Sequence, residues 1–314
     1  MTPSVTPPSS ESAETPQPAA AAASSAEPRR PSARAVLMMV VPLLVVLITF
    51  LFWYQTWFGR PLDDAEMAES LAATSAPHKI QHALVQLGER MARGDASARR
   101  WSPQILALAS SPEPQLRSMA AWAMGQDNRS EEFHQALRKL VEDPQPLVRW
   151  NAALALVRFD DAAGRPQLLE MLQPYALRTP QAGTLKFRLK EQDAVRGGSI
   201  VARLDVGKGA KAVDVVSPVP GTLAQLLARN EAPVAAGNAV ARIAPGEKQV
   251  WESLRALYLV GQTEDLEDVE RFARGATDMS ARVQAQAQLT AQAIRERAMK
   301  EKKPATLGGS KTGT

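Results

Sequence analysis

Residues 105–123 read ILALASSPEPQLRSMAAWA and residues 137–155 read LRKLVEDPQPLVRWNAALA; the two align without a gap at an offset of 32, with seven of nineteen positions identical. Leu and Ile at helical spacing come first, then prolines at 112/114 and 144/146, then a run of small alanines. A proline ends one helix and sits well in the first turn of the next, so each stretch reads as a two-helix unit. The alanines let neighbouring helices approach closely. Neither helix buries its apolar side alone, so such units must stack into an array.

Working outward, the same period reaches Leu169 and Leu172, on a helix that Pro166 opens, and fails at Ala176 and Arg178. The missing second helix is expected at 248–260, where Trp251 and Leu257 match Trp150 and Leu156. A further unit carries Val269 and Phe272 on its first helix and Arg282, Val283, Ala285 and Leu289 on its second. Upstream, Ile80, Leu84, Leu87 and Met91 make one stripe of a helix over 78–91. The array is thus read as residues 78–178 and 247–297, interrupted in the turn of one unit.

The interruption, 179–246, alternates like β structure at 184–189, with short apolar strands at 200–204 and 213–216, and it repeats itself. Pro180, Gly183, Thr184 and Leu185 are echoed at an offset of 38 by Pro218, Gly221, Thr222 and Leu223, as is Leu189 by Leu227. From Val195/Val234 onward the offset is 39, which places one inserted residue near Pro233. A duplication on this scale predicts a pseudo-symmetric module.

Asp143-Pro144-Gln145-Pro146-Leu147-Val148-Arg149, followed by Ala152, Ala153 and Ala155, resembles the short HEAT repeats also found in phycobilisome-lyase-type proteins. The phrase Pro-x-x-Gly-Thr-Leu, then Val-x-x-Gly and Ala-Arg-Leu or Ala-Arg-Ile, resembles the half-motif of biotinyl/lipoyl-like barrel-sandwich domains, shared with membrane-fusion adaptors. That resemblance implies a small all-β barrel-sandwich hybrid over 179–246 and, in cofactor-carrying members, a lysine on the hairpin joining the halves. Lys208 and Lys211 stand near that place. No Met-Lys-Met surrounds either, and Gly207 and Ala210 precede them, so solvated lysines on a Gly-rich turn are the preferred reading and no cofactor is expected.

At the amino end, residues 1–35 lack aromatic side chains and are rich in Pro, Ser and Ala, a composition that predicts disorder. Between Arg34 and Arg60 no residue is charged, and thirteen of the seventeen residues 36–52 are Val, Leu, Ile or Phe. With Trp53, Tyr54, Trp57 and Phe58 behind them, these predict a transmembrane helix over 36–58. Arg29, Arg30 and Arg34 on one flank place the amino terminus in the cytoplasm and everything after Gly59 outside it, in the periplasm of a bacterial inner membrane. Residues 59–77 read as a connector and 298–314 as a disordered tail.

The fold class expected is mainly α: one transmembrane helix and a short HEAT-like solenoid carrying the inserted barrel. Lys plus Arg exceed Asp plus Glu by only 37 to 33, and no basic run alternates with aromatics, so nucleic acid is not an expected partner. Cysteine is absent, which excludes disulfides and thiolate chemistry. His78 and His82 have a zinc-compatible i, i+4 spacing but no third ligand, and read as polar-face residues, as does His134 at a surface or interface. Arg117, Arg149 and Arg282 recur at one repeat position and read as structural pairs; Asp63/Asp64 and Asp160/Asp161 read as solvated charge. The function expected is a membrane-anchored, non-catalytic scaffold for protein partners, such as an envelope complex or transporter. The alternatives are a periplasmic transport adaptor or a carrier modified on Lys208 or Lys211.

Overall fold

The computed structural model describes residues 33–54, 61–73, 76–207, 209–275 and 278–302, and its contacts divide the chain into two units, 1–60 and 61–314. The tails expected to be disordered fall outside these residues except for 33–35 and 298–302, which are helical.

In the first unit, helix α1 (Ala33–Tyr54) forms with Pro42 inside it, and Met38 and most of residues 40–51 are exposed apolar side chains. No helix among the described residues is long and apolar enough to cross a membrane, which overturns the transmembrane helix expected over 36–58. The single-pass inner-membrane placement and the periplasmic assignment of residues after Gly59 rested on that span and fall with it. Residues 55–60, including Trp57 and Phe58 of the expected interfacial cluster, lie outside the described residues.

The second unit mixes helices and sheets, so the fold class is corrected from mainly α with a membrane helix to mixed helical and sheet. Helices pair along the chain: α2 (Asp64–Ala72) with α3 (Pro77–Ala92), α4 (Ser102–Leu108) with α5 (Pro114–Met124), and α6 (Glu131–Leu140) with α7 (Pro146–Leu156). The stretch read as a connector therefore contains α2, whose Met67 and Leu71 are buried and whose amino end carries an Asp63/Glu66 capping box. Pro114 and Pro146 open α5 and α7, and Ala120, Ala121, Ala152 and Ala153 are buried where those helices pack.

After α8 (Arg165–Glu170) the chain leaves the helices as β1 (Tyr175–Arg178) and returns through β8 (Ala239–Pro245) into α9 (Glu247–Val260), followed by α10 (Leu266–Ala273) and α11 (Ala281–Lys302). The last carbonyls of a helix have no partner within it and need one from outside. Here Ser253 Oγ donates to Leu168 O at 2.6 Å, Gln249 Nε2 to Met171 O at 2.8 Å, and Arg271 Nη2 to Leu172 O at 2.8 Å. Residues beyond the excursion thus cap the helix before it, and the helical array is continuous in space.

The excursion is two four-stranded antiparallel sheets. With β2 (Gly183–Phe187), β3 (Ala194–Val195), β4 (Ile200–Asp205), β5 (Val213–Val216), β6 (Gly221–Leu226) and β7 (Pro233–Val234), one sheet has the order β1-β8-β6-β3 and the other β5-β4-β2-β7. Exchanging the first four strands for the last four turns one order into the other, which is a pseudo-two-fold. The register confirms it: Leu185 pairs with Leu204 where Leu223 pairs with Ile243, and all four side chains are buried.

Register also relocates the extra residue. Leu226 faces Ala241 where Phe187 faces Ala202, and the slip lies between Leu223 and Gln225. The insertion is therefore a bulge at Ala224 and not near Pro233, and Phe187 is equivalent to Leu226. Gly183 and Gly221 are needed for close strand approach: an added Cβ would stand 2.9 Å from Asp205 O in the first half and 2.1 Å from Ala244 O in the second.

Candidate binding cleft

The repeated arginines are structural. Arg117 makes a two-pronged bond to Asp143, Nε to Oδ2 at 2.6 Å and Nη2 to Oδ1 at 2.9 Å, while its Nη1 donates to Ser111 O. One unit on, Arg149 Nη2 reaches Glu170 Oε1 at 2.6 Å and its Nη1 donates to Asp143 O at 2.9 Å. Each arginine caps the turn before its own helix and ties it to an acid of the next unit. Burial pushes the Asp143 carboxyl up, but bonds from Arg117 and the Gln145 N–H, with the charges of Arg117 and Arg149, hold it below the usual carboxylate range. Arg282 instead lies over the Trp251 ring, 3.9 Å from its centroid, with Arg255 also against that ring at 4.7 Å.

Two acidic residues expected to be solvated are structural as well. Asp63 caps α2, and Asp161 is a half-buried junction that accepts from Arg138 Nε at 2.6 Å, lies 2.7 Å from His134 Nε2, and caps Ala163. The bond from Arg138 leads in holding the Asp161 carboxyl well below the usual range. His134 also stacks on Phe159, so it is an interface residue. His78 and His82 are exposed on α3, and among the described residues no group of three or more His, Cys, Asp or Glu side chains is placed to hold a metal.

A cleft of about 700 Å³ lies between the repeat turns and the strand module. One wall is built by the proline turns and the first turns of α5 and α7, bringing Pro114, Met119, Pro144 and Leu147; the other is built by Tyr175, Leu177, Val216 and Pro218 from the two sheets. Met119 and Leu147 are half-buried with no element packed fully over them, and Val216 is 41% exposed. Arg178 is the one charged side chain among the lining residues. Burial pushes the Tyr175 phenol up. The cleft has the size and mostly apolar character of a binding site, and its lining brings no nucleophile–base or paired-carboxylate arrangement together.

Ser118 and Met119 also line a second, shallower groove of about 280 Å³ that continues along α3, α5 and α7 past Val85, Trp122 and Asn151. Trp122 lies across Gly88, where an added Cβ would be 2.4 Å from the indole, and Asn151 Nδ2 donates to Ser118 Oγ at 2.8 Å. The two concavities together form a strip along the second helices that widens where it meets the sheets.

Sequence reasoning did not find this strip. Met119, Leu147 and Val216 carry no motif, and only the tertiary path of the chain brings 119 and 216 together. Of the two lysines singled out in sequence, Lys211 is exposed on the connection from β4 to β5, outside the cleft lining, and Lys208 lies outside the described residues.

No curated protein matches the chain. A family model described as HEAT repeats matches residues 102–181, which spans α4 to β1 and supplies the helical wall of the cleft.

Proposed function

We propose that this protein is a non-catalytic interaction scaffold that holds a partner protein along the strip from Trp122 to the cleft at Met119, Leu147 and Val216. HEAT repeats point to protein contacts, and their match over 102–181 is the observation that carries this reading. The cleft adds to it: a mostly apolar lining with one cation suits binding better than bond chemistry.

In this reading the helices within 78–178 and 247–297 are one array, and the sheets, which begin with β1 at Tyr175 and run on through 179–246, are a barrel-sandwich module of the biotinyl/lipoyl-like kind inserted in the turn of one unit. The support is the exchange symmetry of the two strand orders and the capping of α8 by α9. A module capped in this way is held fixed, which favours presenting a surface over swinging a cofactor between sites.

The test is affinity capture from the native source with the full chain and with Met119→Arg and Leu147→Arg variants whose helical signal is unchanged. Loss of the same captured protein in both variants supports the scaffold; undiminished capture counts against the cleft as its surface.

A further inference from the structure

Arg178 and Val216 occupy the same position in the two halves of the strand module: Arg178 pairs with Ala239 as Val216 pairs with Ile200. Both line the one cleft. Both also belong to edge strands, since β1 ends one sheet and β5 ends the other.

The direction of their backbone groups follows from their neighbours. Ser217 N donates to Ser199 O at 2.9 Å and Gly198 N donates to Ser217 O at 2.8 Å, so Ser217 faces β4. In an antiparallel ladder alternate residues face opposite sides, so the N–H and C=O of Val216 point to the open edge. By the same reasoning Thr179, which exchanges bonds with Asn238 and Gly237, faces β8 and leaves the backbone of Arg178 outward. Unpaired strand edges are templates for another strand.

Resting on the scaffold reading, we propose that the cleft takes an extended segment of a partner protein, which adds as a short strand to the open edge of β5 at Val216. Alternate side chains of that segment face the half-buried Met119 and Leu147, and a carboxylate on it pairs with Arg178. Charge complementarity selects this occupant: Arg178 is the lone charge in the lining, and no acidic side chain of the lining competes for it. A strand supplies both halves of the fit, because its backbone satisfies the edge while every second side chain reaches the apolar wall. The edge is short, ending at Val216 before Ser217 and Pro218 turn the chain away, so the added strand is brief and its affinity depends on the side-chain contacts.

The test selects short random peptides displayed on phage against the full chain, then measures amide exchange with a synthetic copy of the winner. Enrichment of aliphatic residues at alternate positions with an Asp or Glu, and slowed exchange of the Val216 amide, are expected. N-methylation of alternate peptide amides should abolish binding to the unaltered protein, and Arg178→Glu should weaken it about tenfold or more. No enriched peptide, enrichment without that pattern, unchanged Val216 exchange, or protection that appears with protein concentration alone through pairing of two copies would each overturn the proposal. Capture that stays sensitive to Met119→Arg after such a failure would leave the scaffold reading standing with a different form of partner.

Discussion

The hydroxyl of Ser253 donates to the carbonyl of Leu168 at 2.6 Å across 85 residues of chain, and both groups are buried. That bond joins the helix before the sheets to the helix after them. Removing the hydroxyl leaves a buried carbonyl without its partner, a loss of about 1–2 kcal/mol. Ser253→Ala should lower the free energy of urea unfolding by that amount, and Gln249→Leu, which uncaps Met171, should do likewise.

Continuity of the array makes a larger prediction. Replacing residues 174–245 by a short Gly-Ser linker should leave a protein that unfolds cooperatively with helical circular dichroism, because α8 and α9 remain capped against each other. A shortened chain without a cooperative transition would mean that the sheets are needed to hold the helices together.

Arg117 and Asp143 are only 12% and 7% exposed in their side chains, so breaking the pair leaves a charge in a poorly solvated place. Arg117→Ala should destabilise by about 3 kcal/mol. A carboxylate held below its ordinary value of 3.8 contributes its full stabilisation above that pH and loses it as pH falls through the lower folded value. Unfolding free energy of the wild type should therefore drop below about pH 4, and the Arg117→Ala curve should be flatter over the same window.

The strand-module glycines Gly221 and Gly198 differ in that Gly221 combines a positive φ with close approach, whereas Gly198 has the positive φ alone. Gly221→Ala places a Cβ against Ala244 O and should cost more than about 3 kcal/mol or prevent folding. Gly198 has φ +90° with open space around it, so Gly198→Ala carries only the backbone penalty, about 1 kcal/mol. Thermal unfolding of the two variants should rank them in that order.

Much of this fold was legible because repeats state the same physics twice. The 32-residue offset placed α4 to α7 and marked where the period fails, near Ala176, inside β1. Gly183 and Gly221 were visible as a pair, though not the carbonyls that demand them. The misplaced insertion shows the limit: a bulge at Ala224 and a longer turn near Pro233 give the same offset downstream, and only pairing register separates them. Apolar composition over 36–58 was read as a span, but no helix long and apolar enough to cross a membrane is found among the described residues. The cleft was hidden for a different reason. Its walls come from residues nearly a hundred positions apart, whose individual identities are ordinary.

The scaffold claim meets its most direct test in site-specific photo-crosslinking from the cleft. A photoreactive phenylalanine analogue would replace Met119 in the full chain in its native cells, with Gln135, exposed on α6, as the control position. A discrete protein adduct from position 119, identified by mass spectrometry and absent from position 135, is expected. Equal labelling at both positions, or no adduct from 119 or from the neighbouring Leu147 and Val216, would contradict the scaffold claim.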